Sequence, residues 1–139
     1  MGEVVVRLKL ENTTDRENVE SGLIKAAALR TLETNAVADS GAAMLVLPQD
    51  QVEALGLRIV GNVIVEYADE RKEERPLARG VTVYVNGRNA NVDCIVGRPA
   101  SEPLLGQVPL EIMDLLIDSA RHRLMPRPES PLLPLLKLK

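Results

Sequence analysis

The segment best equipped for chemistry is Val37-Ala38-Asp39-Ser40-Gly41-Ala42, which runs on into the apolar stretch Leu45-Val46-Leu47-Pro48. An aspartate set in an apolar strand is costly unless it is hydrogen-bonded or used. Ser40 adds a hydroxyl beside it, and Gly41 adds a permissive backbone. Two readings of residues 39–42 are open: a carboxylate presented for acid–base work, or an Asp-Ser-Gly turn between two strands. The rest of the sequence narrows the kinds of catalysis available. His122 is the single histidine and sits in an Arg-His-Arg run, with no second His or Cys at ligand spacing. It reads as a solvated surface residue, and zinc hydrolysis and His-dependent nucleophilic catalysis lack their parts within one chain. Cys94 is the single cysteine. It excludes an internal disulfide and an all-cysteine metal site, and within the apolar run 92–96 it reads as a small buried group. Carboxylates are left as the acid–base groups, and no metal or cofactor is implied.

Composition excludes further classes. At 139 residues the chain is one domain's length, and 45% apolar with 27% charged residues is a globular balance. With no Trp, no Phe and two Tyr, the core must be built from Val, Leu, Ile and Ala. A net charge of −3 and the absence of a basic stripe or aromatic platforms argue against nucleic acid as a partner. No apolar run approaches the roughly 20 residues that span a bilayer. The first ten residues lack the basic-then-apolar layout of a signal peptide. The expectation is a cytoplasmic protein with no membrane partner.

The elements that must position Asp39 read as mostly β. Residues 3–10 begin β-branched and then alternate apolar with charged, a strand pattern. Residues 11–21 are polar and read as a loop. Residues 23–33 are ambiguous, with Ala26-Ala27-Ala28 favouring helix and the run towards Asp39 favouring strand; strand is the reading adopted. Residues 44–47 form a strand that Pro48 stops, and Pro48 opens a two-turn helix over Gln49–Leu55, closed by Gly56. Residues 57–67 predict two short strands or one bent strand, and the charged run 68–75 predicts an exposed hairpin tip. Val81-Thr82-Val83-Tyr84-Val85, Asn86-Gly87 and residues 91–96 predict a second hairpin. After Leu104-Leu105-Gly106, the spacing of Leu110, Met113, Leu116 and Ile117 predicts a helix over residues 110–117. A last strand is expected at residues 121–125. Four prolines make residues 126–139 an extended or mobile tail, although it holds five leucines.

Together these residues resemble the retroviral-type (retropepsin-like) aspartic proteases, in particular the small single-lobe bacterial members. Asp39-Ser40-Gly41-Ala42 matches the family's Asp-Thr/Ser-Gly-Ala/Ser signature, with apolar residues before it and an apolar strand ending in proline after it. Leu104-Leu105-Gly106 matches the second marker, two apolar residues and a glycine directly before a helix. Leu110-Glu111, Leu116-Ile117-Asp118 and Arg123-Leu124 look like the family's closing helix and strand. The resemblance covers about residues 3–125, giving a protease domain over residues 1–125 and a Pro/Leu-rich tail over 126–139.

The resemblance implies a mainly β fold: a closed acid-protease barrel with one short C-terminal helix and one lobe per chain. It implies an aspartic endopeptidase in which two carboxylates share a proton and activate water against a peptide bond. Asp69, Asp93, Asp114 and Asp118 are not followed by Ser/Thr-Gly, so the second carboxylate comes from another copy. The implied assembly is a homodimer with Asp39 of each chain at the twofold axis, and a peptide or protein as substrate. In this scheme Asp39 is catalytic, Ser40 braces the pair across the axis, and Gly41 admits the substrate backbone. Ala42, Ala43 and Leu104 line the substrate site, and the hairpin over residues 66–75, with Tyr67, Ala68 and Asp69, closes over it as a flap. Two alternatives stay open: a catalytically weak or inactive protease-like dimeric binding or scaffold domain, and a small β-domain whose Asp39 is only a turn residue.

Overall fold

A computed structural model describes residues 2–138. The chain is mainly β, with 47% of residues in strands and 18% in helices. Strand β1 (Val4–Asn12) pairs antiparallel with β2 (Thr31–Ala38) along its whole length, Val4 facing Ala38 and Glu11 facing Thr31. The second half of β1 also pairs with the end of β5 (Lys72–Val85), from Lys9 opposite Tyr84 to Asn12 opposite Val81. β5 pairs in turn with β6 (Arg88–Gly97), β6 with β3 (Leu45–Pro48), and β3 with the two-residue β7 (Leu104–Leu105). β7 returns to β2, so six strands close a ring. β4 (Arg58–Glu66) lies outside the ring and pairs only with β5. The last two strands, β8 (Leu115–Asp118) and β9 (Arg123–Pro126), form a separate pair.

Aliphatic side chains fill the ring, as a sequence poor in aromatics requires. Leu8, Leu10, Leu45, Leu47, Val81, Val83, Leu105 and Met113 are wholly buried. Cys94 is buried among them, and desolvation pushes its thiol up to about 12, which leaves it protonated and inert at neutral pH. His122 is exposed, as its charged neighbours suggested.

Several elements follow from local chemistry. Helix α2 spans Gln49–Leu55 and ends at Gly56, which takes the left-handed conformation at φ 64°. Pro48 stands at its N-cap, one place earlier than expected, and also closes β3. Asn86 and Gly87 both have positive φ, 52° and 78°, the two-residue turn that matches strand twist between β5 and β6. Residues 57–67 form one strand, β4, with a bulge between Ile59 and Gly61.

Other elements differ from expectation. Residues 11–21 are not a loop: helix α1 occupies Thr13–Glu20. The Asn12 side chain caps it by accepting the Asp15 N–H at 3.0 Å, and buried Asp15 pairs with the guanidinium of Arg30 at 2.8 and 3.0 Å. Arg16 ties the helix to buried Glu11 of β1 through two further bonds. In residues 23–33 the strand begins only at Thr31, and Ala26–Ala28 forms a single 3-10 turn. The charged hairpin tip narrows to residues 67–71, because Lys72–Arg75 are already paired in β5.

The C-terminal helix α3 spans Gln107–Met113 rather than residues 110–117. Asp114 ends it by turning left-handed at φ 58°, which releases Leu115, Leu116 and Ile117 into β8. Pro109 is tolerated because its missing N–H falls in the first turn, where no helical partner exists. The last strand starts at Arg123 and takes in Pro126.

The tail is bound at its start. Buried Arg88 donates to the carbonyls of Met113 at 2.9 Å, Asp114 at 3.0 Å and Ser130. Arg127 pairs with the Asp114 carboxylate, which also accepts the Leu135 N–H at 2.9 Å. The Arg127 guanidinium and that N–H hold the Asp114 carboxyl far below the usual carboxylate range. Met1 and Lys139, at the ends of the two expected segments, lie outside the described residues.

Candidate active site

β2 delivers Asp39 to the end of the ring, and β7 fixes it there. β7 enters between β2 and β3, parallel to the first (Val37 opposite Leu104, Ala38 opposite Leu105) and antiparallel to the second (Val46 opposite Leu104). The ladder continues into the loop, since the Asp39 N–H donates to Leu105 O at 3.0 Å. Ala42 N–H closes a turn onto Asp39 O at 3.1 Å, and Gly41 N–H donates to Asp39 Oδ1 at 2.8 Å. Asp39 is therefore both a hydrogen-bonded turn residue and an exposed carboxylate, with no bond to Oδ2 among the described residues.

The first turn of α3 holds the same loop from the other side. The N–H groups of Gln107 and Val108, which no helical carbonyl can satisfy, donate to Ala42 O at 2.8 Å and Ala43 O at 2.9 Å. This contact sets the requirement for Gly106. A Cβ built there would stand 2.6 Å from Ala42 O and closer still to Met44 O, both backbone atoms that cannot swing away. Gly106→Ala is expected to cost about 2–3 kcal/mol and to loosen the Asp39 loop. Thermal denaturation with hydrogen exchange at Gln107 and Val108 checks both effects.

Two of the hollows that border the loop concern the site. One, of about 440 Å³, is open and polar and is bordered by Asp39, Ser40, Glu3 and Ser119. The other, of about 340 Å³, is a cleft between the loop and the β4–β5 hairpin. Gly41, Ala42, Ala43, Leu104 and Tyr67 all border this cleft, so five of the residues singled out in the sequence are gathered around one space. Its walls are completed by Val46, Ile64 and Ile95. Asp39 and Ser40 border the first hollow and not this cleft. Ala68 and Asp69 are not brought to the cleft: they stand exposed at the hairpin tip, because the turn there points them into solvent.

The cleft is also bordered by Val65, Glu73 and Arg75, which the sequence did not single out. Val63 faces Arg75 and Val65 faces Glu73 across the hairpin, so these four and Tyr67, two residues beyond Val65, share one face. The Glu73 carboxylate accepts the Tyr67 hydroxyl at 2.8 Å and pairs with Arg98, which follows β6. Those two donors, the Tyr67 hydroxyl first, lower the Glu73 pKa, and the same bond raises that of Tyr67. The signal was a period-two pattern on both sides of the turn, legible only once the pairing is known.

Among the described residues, no group of three or more His, Cys, Asp or Glu side chains could hold a metal ion. No helix among them is long and apolar enough to cross a membrane. No protein-family model matches the chain, and no curated protein matches it significantly.

Proposed function

We propose that the protein is an aspartic endopeptidase of the retropepsin-like type, active as a homodimer with one lobe per chain. The observation that carries this reading is the Asp39 carboxylate: exposed at the end of β2, with one oxygen held by Gly41 N–H and the other without a bond among the described residues. A surface carboxylate held in this way is oriented by its own turn and open to meet a second one. A second copy related by a twofold axis through the 440 Å³ hollow would bring its own Asp39 opposite. Like charges at close range cannot both ionise, so one carboxylate takes the proton of the attacking water while its protonated twin stabilises the carbonyl oxygen. Ser40, exposed beside Asp39, would brace the pair across the axis. The neighbouring cleft would seat the peptide, with its backbone along Gly41–Ala43 and an apolar side chain against Leu104, Val46 and Ile95. The β4–β5 hairpin roofs that cleft and is attached to the ring through β5 alone, as a closing flap requires.

The reading makes hydrolysis depend on assembly. Cleavage of a peptide library between about pH 4 and 7 should lose specific activity on dilution as dimers separate, with pepstatin-like inhibitors restoring the dimer. A dimer that neither cleaves nor binds such inhibitors would be the scaffold domain instead. A chain monomeric at micromolar concentration would leave Asp39 as a turn residue alone.

A further inference from the structure

Two arginines border the cleft under the hairpin, Arg98 paired with Glu73 and Arg75 without an ion pair among the described residues. We propose that Arg75 selects a peptide carrying an acidic side chain next to the apolar one. The inference rests on the protease reading for the kind of occupant, though not for its binding.

Each carboxylate at the cleft already has a counter-ion. Glu73 is held by the Tyr67 hydroxyl and by Arg98. Glu66, which also borders the cleft, lies 3.9 Å from Lys72. Arg75 differs. Its Nε donates to Val96 O at 2.9 Å, which fixes the plane of the guanidinium, and it forms no ion pair among the described residues. It is half-buried on the cleft face of the hairpin, opposite Val63 and near the apolar walls. Glu73 on the same strand face feels the Arg75 charge through space, but its carboxylate is bonded to the Tyr67 hydroxyl and Arg98, so the half-buried guanidinium has no bonded anion among the described residues. Its two terminal nitrogens form the fork that a carboxylate fits with two parallel bonds, and the apolar walls strengthen such a pair relative to open water. The site is therefore built for an amphipathic stretch of chain, with an aliphatic group packed against Leu104 and a carboxylate on Arg75.

Binding can be read without hydrolysis. Labelled peptides differing only in Glu, Gln or Lys beside an apolar residue are titrated by fluorescence anisotropy against Asp39→Asn protein. The Glu peptide is expected to bind about tenfold tighter than the Gln peptide. Arg75→Gln should shrink that ratio to about twofold or less, Arg75→Lys should keep much of it, and Arg75→Glu should favour the Lys peptide. Melting curves for each variant establish that it is folded, and Arg75→Lys carries the comparison if Arg75→Gln is not. Equal binding of all three peptides, or a preference that survives Arg75→Gln, would overturn the inference. Wild-type protein that cleaves peptides regardless of charge would overturn it and leave the protease standing. Charge-selective, Arg75-dependent binding by a protein that cleaves nothing would do the reverse.

Discussion

Asp39→Asn is expected to lower peptide hydrolysis by about a thousandfold or more while leaving the fold and the dimer intact. The two outcomes separate because the side chain has two jobs. Its Oδ1 accepts the Gly41 N–H, and an asparagine carbonyl can accept the same bond, so the turn survives. The amide cannot take a proton from water, so the proposed chemistry does not. A mixing experiment sharpens the test. If each active centre needs one carboxylate from each chain, equal amounts of wild-type and Asp39→Asn protein that exchange subunits freely leave about one quarter of the dimers with two aspartates. Added variant should therefore depress wild-type activity well below simple dilution. Activity that stays proportional to wild-type protein alone would mean that a single chain suffices, and the dimeric dyad would be wrong.

Arg88→Met is expected to destabilise the protein by about 3–5 kcal/mol and to release the C-terminal segment. Arg88 is buried and donates to three carbonyls from three places: Met113 at the end of α3, Asp114 at the turn into β8, and Ser130 in the tail. Methionine fills similar volume but leaves those acceptors in a dry site without donors, and the missing bonds cannot be replaced by water without opening the packing. The unfolding midpoint in urea measures the loss. Limited proteolysis should cut beyond Pro126 before the ring gives way, because Arg88 ties Ser130 of the tail directly to β6, whereas the remaining tail bonds run to Asp114. A variant as stable as wild type would mean that the tail and helix are held by other contacts.

What could be read from the sequence was decided by how local the determining interactions are. The helix over Gln49–Leu55 has Pro48 before it and Gly56 after it, and the turn at Asn86-Gly87 needs nothing beyond those two residues; both lie where expected. Helix α1 was missed because it buries only Asp15, so there is no apolar stripe to detect. Its one local signal was Asn12 three residues before Asp15. The offset of α3 has a distant cause. Leu116 and Ile117 do fall at helical spacing, but Asp114 turns left-handed, and its carboxylate is held by Arg127 and by the backbone of Leu135. At the site, the loop carrying Asp39 was legible because its chemistry is contiguous. Arg75, Glu73 and Arg98 were not, since their meeting at the cleft follows from the register between β4 and β5 and from the end of β6. In isolation residues 68–75 are a run of charge, and only the pairing divides them into a tip and a wall.

The two-residue strand β7 has a consequence for biosynthesis. Residues 37–38 of β2 and Val46 of β3 frame a gap that Leu104 and Leu105 fill, and the carbonyls of residues 42 and 43 wait for the amides of 107 and 108. A growing polypeptide emerging from the ribosome must therefore carry its Asp39 loop unsupported until that late stretch has been translated. Until then the carbonyls of residues 42 and 43 and the open edges of β2 and β3 have only water as a partner.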